Sequence, residues 1–281
     1  MAIDYCLAYE CNPKRHFGNG DCNKGTGEIL ERLKAKTRAQ FIMRMAKQEG
    51  RDPYAISVDV ITSGSDGNQI QKSVTIAELE GYSKSLVEHS ADCNGCPAKC
   101  IEGSYGCIGC INYPISAQAE NWLIDRLQPS GTMGAEMCFD LIRDRGINGS
   151  QAANMRQRGL FEITQAKKII LKKALFKNQS ITADQLFETM FMVGNPIDPF
   201  HCFGVLLFFG ALTIDGRVIT DPKDSNSLAK LLDLKTQEDK AQHTQQVLGP
   251  PSDSEEIKCF ESYFRAMYLS WFYEVPLLVS A

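Results

Sequence analysis

The sequence predicts an α+β protein: a small antiparallel sheet with helices and a Cys-rich metal loop, followed by a mainly helical half. Three observations carry that prediction. Residues 3–10 alternate apolar and polar side chains with the two-residue period of a strand, and the runs AISVDVIT and QIQKSVTI flank a turn signal at Ser65, Asp66, Gly67 and Asn68. From Pro129 onward, helical periodicity dominates, in segments that stop at glycine. With 281 residues and 43% hydrophobic content the chain can bury two cores. The change of pattern divides it into an α+β unit over 1–128, containing a cysteine loop at 93–110, and a mainly α-helical unit over 129–281.

In chain order, Ile3, Tyr5, Leu7 and Tyr9 alternate with Asp4, Cys6, Ala8 and Glu10, the pattern of a half-buried opening strand. A loop is expected through Asn12, Pro13, Gly18, Gly20, Gly25 and Gly27. A helix then runs to Gly50, with Leu30, Leu33, Thr37, Phe41 and Met45 as its inner stripe and Lys34, Lys36, Arg38, Arg44 and Lys47 outside. After the hairpin, Thr75 and Glu78 form a capping box, starting a helix that carries Leu79, Tyr82, Leu86 and Val87 into the cysteine loop.

INYPI is extended because the residue before Pro114 avoids the helical region, and Ser116 caps a helix through Trp122, Leu123 and Leu127. Beyond 129, GAEMCFDLIRDRG, SQAANMRQRG and SITADQLFETMFMVG read as helices, and AKKIILKKALFK fits a strand or a helix, with continuation of the helical run preferred. Pro199 suits the first turn of an apolar helix containing Phe203, Leu206, Leu207 and Leu212. ITDPKDSNS marks a loop before a short helix around Leu228, Leu231 and Leu232, TQEDKAQHTQQ is expected as a mobile connector, and SEEIKCFESYFRAMYLSWFYE is a final aromatic helix ending before Pro276.

The run CNGCPAKCIEGSYGCIGC, residues 93–110, implies a particular chemistry. Cys93 with Cys96 and Cys107 with Cys110 make two C-x2-C pairs, each with glycine before its second cysteine, so four thiolates can close a tetrahedral shell around one zinc ion. Pro97, Gly103 and Gly106 break the connector, which suits a loop around an ion rather than a helix. The paired knuckles resemble those of zinc ribbons and rubredoxin-like sites, a likeness confined to this run. The alternative is an iron–sulfur cluster, because Cys100 extends the first pair to C-x2-C-x3-C. The run lacks the third C-x2 step of ferredoxin-type motifs, and the symmetry of the pairs favours one zinc. His89, four residues before Cys93, is a substitute ligand.

Other readings are weaker. Cys11, His16 and Cys22 offer ligand types without paired spacing. GNGDCNKGTG falls where a phosphate cradle would lie, but Gly25 is followed by Thr26 and Gly27 instead of the lysine and hydroxyl residue of a P-loop. His201 and Cys202 are neighbours on a helix and diverge, so core packing explains them. Without a catalytic constellation, the expectation is a binding or assembly protein with a structural zinc site.

A net charge of −4 and pI near 5.7 argue against nucleic acid as a generic partner, although a local basic patch is compatible with them. The longest apolar run, GVLLFFGAL at 204–212, is about half the ~18–20 residues a bilayer requires. The opening MAIDYCLAYEC lacks an export signal, and eleven cysteines, an odd number, fit a reducing cytoplasm. The aromatic stripe of Phe260, Phe264, Tyr268 and Phe272 is read first as core, and, being wider than one face and followed by the apolar tail VPLLVSA, also as an interface for a protein partner or a second copy.

Overall fold

Beyond its alternating first strand, the chain breaks into short strands and capped helices. The computed structural model describes residues 2–63, 69–127, 133–171, 179–191, 195–214, 217–218, 229–230, 232–246 and 252–280. The expected hairpin turn at 65–68, the division at 128/129, the stop at Gly194, the loop ITDPKDSNS, Leu228, Leu231 and the segment 249–251 fall outside that set. Packing separates two units: Glu10–Pro97 with Gly103–Tyr105, and Met1–Tyr9, Ala98–Glu102 and Gly106–Ala281.

In the unit around residues 10–97, the expected glycine-rich loop is instead helical: α1 spans Asn12–Phe17 and α2 spans Cys22–Gln48. Pro13 sits in the first turn of α1, and the Asp21 carboxylate caps α2 by accepting from the N–H groups of Asn23 at 2.8 Å and Lys24 at 3.1 Å. Gly18 and Gly25 allow the two backbones to touch. A Cβ on Gly25 would lie 1.7 Å from the Lys14 carbonyl oxygen, and one on Gly18 would lie 1.8 Å from that of Asp21.

The inner stripe of α2 also differs from expectation. Ile29, Ala35, Ala39 and Ala46 are buried, whereas Phe41 and Met45 are exposed. Small side chains win the inner face because they let a neighbouring helix approach closely. That neighbour is α3 (Ile76–Glu88), whose Ile76 and Leu79 complete a small core with Ala35 and Ala39. Val58 and Val74 cover it from the hairpin of β2 (Ser57–Ser63) and β3 (Gln69–Thr75), paired antiparallel from Ser57↔Thr75 to Ser63↔Gln69. The capping box forms: Thr75 Oγ1 accepts from the Glu78 N–H, and Glu78 Oε2 accepts from the Thr75 N–H. Tyr82 and Val87 are exposed, since the seam of α3 runs through Ile76, Leu79, Ser83 and Leu86.

In the other unit, β1 (Ala2–Leu7) is the middle strand of an antiparallel sheet, between β4 (Ile108–Asn112) and β10 (Leu277–Ser280). Tyr5 pairs with Gly109 on one side and Val279 on the other. The apolar tail is therefore an edge strand of the chain's own sheet. α4 (Ala117–Arg126) starts at Ser116, whose side chain accepts from the Ala119 N–H, and α5 (Met133–Asp144) and α6 (Ser150–Gln157) follow.

The segment read as continuing helix instead forms β5 (Lys168–Leu171), paired with β6 (Gln179–Thr182). Ile169 and Ile170 are β-branched, which favours the extended chain once a partner strand is present. α7 (Ala183–Phe191) and α8 (Pro199–Phe208) come next, with Asp198 as the cap of α8. β7 (Leu212–Ile214) pairs with β8 (Arg217–Val218) and with β9 (Thr244–Gln246). The expected connector TQEDKAQHTQQ contains α9 (Gln237–His243), started by a capping box of Thr236 and Asp239 and anchored by buried Lys240, whose Nζ donates to the Trp271 carbonyl at 3.0 Å.

The last helix, α10 (Glu255–Tyr273), runs through this unit's core. Phe260, Tyr263, Phe264, Met267 and Trp271 are all buried, and Phe187, Phe191, Phe203 and Phe209 pack their rings against them. Each such ring removed from water contributes about 1.5–3 kcal/mol. A buried ion cluster ties three helices together: Arg156 Nη2 donates at 2.8 Å to both Glu120 Oε1 and Asp184 Oδ1. Glu188 accepts from the N–H groups of Gly149 and Gln151, capping α6 from α7.

Candidate metal centre

α3 ends at His89, and a short 3-10 turn, Ser90–Cys93, delivers the first cysteine pair. Cys93 to Cys96 form a β-turn closed by the Cys96 N–H donating to the Cys93 carbonyl at 3.3 Å. Asn94 at φ −68, ψ 128 and Gly95 at φ 72 give the angles of a type II turn, which requires glycine or asparagine at its third position. Such a turn brings the first and fourth residues, here Cys93 and Cys96, close together in the backbone.

The pair Cys107 and Cys110 has a different local form. Cys107 is buried just before β4, with its carbonyl accepting from the Leu7 N–H at 3.1 Å. Cys110 lies within β4 opposite Asp4 and is exposed, its Sγ 3.9 Å from Asn112 Oδ1. The CIGC segment is thus strand, not a second turn. Gly109 serves packing: a Cβ there would lie 2.3 Å from the Tyr5 ring, so only glycine leaves space for that side chain. Cys93 and Cys96 belong to the 10–97 unit, and Cys107 and Cys110 to the other.

Cys100, the additional ligand of the iron–sulfur alternative, is buried, and its S–H donates to the Gly106 carbonyl at 2.9 Å. Burial, then the neighbouring Cys107, pushes this thiol up to about 12. Cys259 on α10 was not singled out by spacing, because an isolated helical cysteine carries no motif. Its thiol is pushed up to about 11 by burial, with Cys110 the next contributor. Tyr5, which takes its largest rise from burial and further rises from Cys100, Cys259 and Cys110, has no hydrogen-bond partner for its hydroxyl among the described residues.

Within the 10–97 unit, His16 and Cys11 come near the end of α3. The His16 and His89 rings stack with centroids 3.9 Å apart, and His89 Nδ1 lies 3.4 Å from Asp92 Oδ2. Tyr105 is buried and donates to the Leu86 carbonyl at 2.7 Å. Its hydroxyl is pushed up first by burial and then by Cys93, Asp92 and Cys11. Cys11 and Cys93 therefore lie within electrostatic reach of one hydroxyl. Cys22, the first residue of α2, instead interacts with Arg15.

Cys202 is a core residue and His201 beside it is half-buried: His201 Nε2 bonds the Thr189 carbonyl at 2.8 Å, and burial pushes the Cys202 thiol up to about 12. The glycine-rich segment is spent on the contact of α1 with α2. Among the described residues, no group of three or more His, Cys, Asp or Glu side chains is arranged to hold a metal ion, and no helix is long and apolar enough to cross a membrane. No family model, curated protein or solved structure matches this chain.

Proposed function

We propose that this is a soluble, intracellular binding or assembly protein in which Cys93, Cys96, Cys107 and Cys110 hold one structural zinc ion. The observation that supports the reading is the type II turn at Cys93–Cys96, with Gly95 in the left-handed region that such a turn requires. Four thiolates leave no open coordination position, which suits a structural rather than a catalytic ion. The Cys100 S–H donates to the Gly106 carbonyl, which supports zinc over the iron–sulfur alternative that would use Cys100. Zinc bound this way adds folding free energy to a unit whose interior is a short alanine-lined seam.

For assembly through the C-terminal helix, the support is what α10 leaves over. Tyr268 and Phe272 stack with centroids 5.8 Å apart and are only half-buried, so a protein partner or a second copy would meet that edge. The test of the metal reading is metal analysis of the full chain with Cys93→Ser and Cys100→Ser. Loss of zinc in the first and retention in the second supports it, whereas the reverse pattern reassigns the ligands. Light scattering tests the assembly reading, and a monodisperse monomer refutes self-association.

A further inference from the structure

The net charge of −4 conceals a separation of charge along α2. From Arg32 to Gln48 the helix carries six basic residues and no acidic one. Two of the six are engaged: Arg32 bonds the Tyr82 carbonyl and Ser85, and Lys34 pairs with Glu31 at 3.2 Å. Lys36, Arg38, Arg44 and Lys47 are exposed and make no ion pair among the described residues. Lys36 and Lys47 fall on one flank of the exposed face, Arg38 on the other, and Arg44 near its centre. Phe41 lies beside Arg44, 53% exposed, with the guanidinium 5.6 Å from its ring centroid.

This face is opposite the alanine seam, so folding of the unit does not require it. Four cations on one exposed helix face raise the local positive potential and attract a polyanion. We infer that the exposed face of α2 binds single-stranded nucleic acid, with Lys36, Arg38, Arg44 and Lys47 contacting phosphates over about 17 Å of helix and Phe41 stacking on an unpaired base. An acidic membrane is the weaker occupant, because Phe41 and Met45 are the only large apolar side chains exposed on α2, too little to insert. A duplex offers phosphates but no free base face to Phe41. An acidic protein would neutralise the cations without using the ring beside Arg44.

The test is fluorescence anisotropy of the full chain with a labelled mixed-sequence single-stranded oligonucleotide of about 20 nucleotides, at about 50 and 150 mM salt. The binding face predicts saturable binding that Arg38→Glu with Arg44→Glu weakens tenfold or more and with a shallower salt dependence. Phe41→Ala weakens binding about fivefold or more with the salt dependence kept, since stacking contributes without releasing counterions. Arg158→Glu with Lys235→Glu, exposed positions in the other unit, makes the same change in net charge and should alter affinity less than about twofold. Thermal unfolding of each variant confirms that the fold is retained. The proposal is overturned if the oligonucleotide fails to bind at the lower salt, or if the control pair weakens binding as much as the α2 pair. Tighter binding to the matching duplex, to anionic phospholipid vesicles or to polyglutamate than to the single strand likewise overturns it.

Discussion

The two units are stabilised by different means. The larger one buries Phe187, Phe191, Phe203, Phe260, Phe264, Tyr263 and Trp271 around α10, and locks its helices with the Arg156 cluster. The unit of residues 10–97 has a seam of Ala35, Ala39, Ile76 and Leu79, yet leaves Phe41, Met45, Tyr54, Tyr82 and Val87 exposed. A core of that size supplies little free energy, and small units of this kind commonly depend on a metal or a partner. The proposed nucleic-acid face falls on this unit, as do Cys93 and Cys96, two of the four proposed zinc ligands.

The largest effect should come from the self-sufficient unit. Phe264→Ala removes a fully buried ring and should cost about 3–5 kcal/mol, read as a loss of urea resistance in the unfolding transition of that unit. Arg156→Ala leaves Glu120 and Asp184 buried without their cation, with an expected cost of about 3–5 kcal/mol. If either substitution proves neutral, the picture of a densely determined core fails. Chelation should affect the other unit instead. Under a strong zinc chelator, hydrogen exchange in α2 and α3 should accelerate while α10 stays protected, and equal acceleration in both would erase the distinction.

Smaller effects sharpen the contrast. Thr75→Ala removes the cap of α3 and should cost about 1 kcal/mol, a larger share of stability in the small unit than a cap would be in the large one. His201 has a folded pKa lowered chiefly by burial, so its neutral form is the one the fold accepts. Its contribution is intact above the unfolded histidine pKa and is lost as pH falls through that value towards the lower folded one. His201→Gln should therefore flatten the acid side of the stability profile of the large unit, and an unchanged profile would remove His201 from that account.

Much of the fold was legible in local chemistry. The alternation of Ile3, Tyr5 and Leu7, the Thr75–Glu78 box, the Ser116 cap and Pro199 at the start of α8 each act within a few residues, and each appears where expected. What was misread depended on contacts distant in sequence. Gly18 and Gly25 look like loop residues until α1 and α2 meet, and Ala35 and Ala39 look like filler until α3 packs on them. Lys168–Leu171 becomes a strand through β6, and the tail becomes a strand through β1 at the other end of the chain. At the candidate site, spacing identified the Cys93–Cys96 turn. It did not reveal that Gly109 makes room for Tyr5, that Cys259 lies within electrostatic reach of Cys110, or that His16 stacks on His89.

Metal analysis with a visible spectrum of the anaerobically purified full chain tests the central claim most directly. The account predicts a colourless protein with about one zinc per chain, lost on Cys93→Ser or Cys110→Ser and kept on Cys100→Ser. A brown protein carrying several irons per chain, with the colour lost on Cys100→Ser, would contradict it.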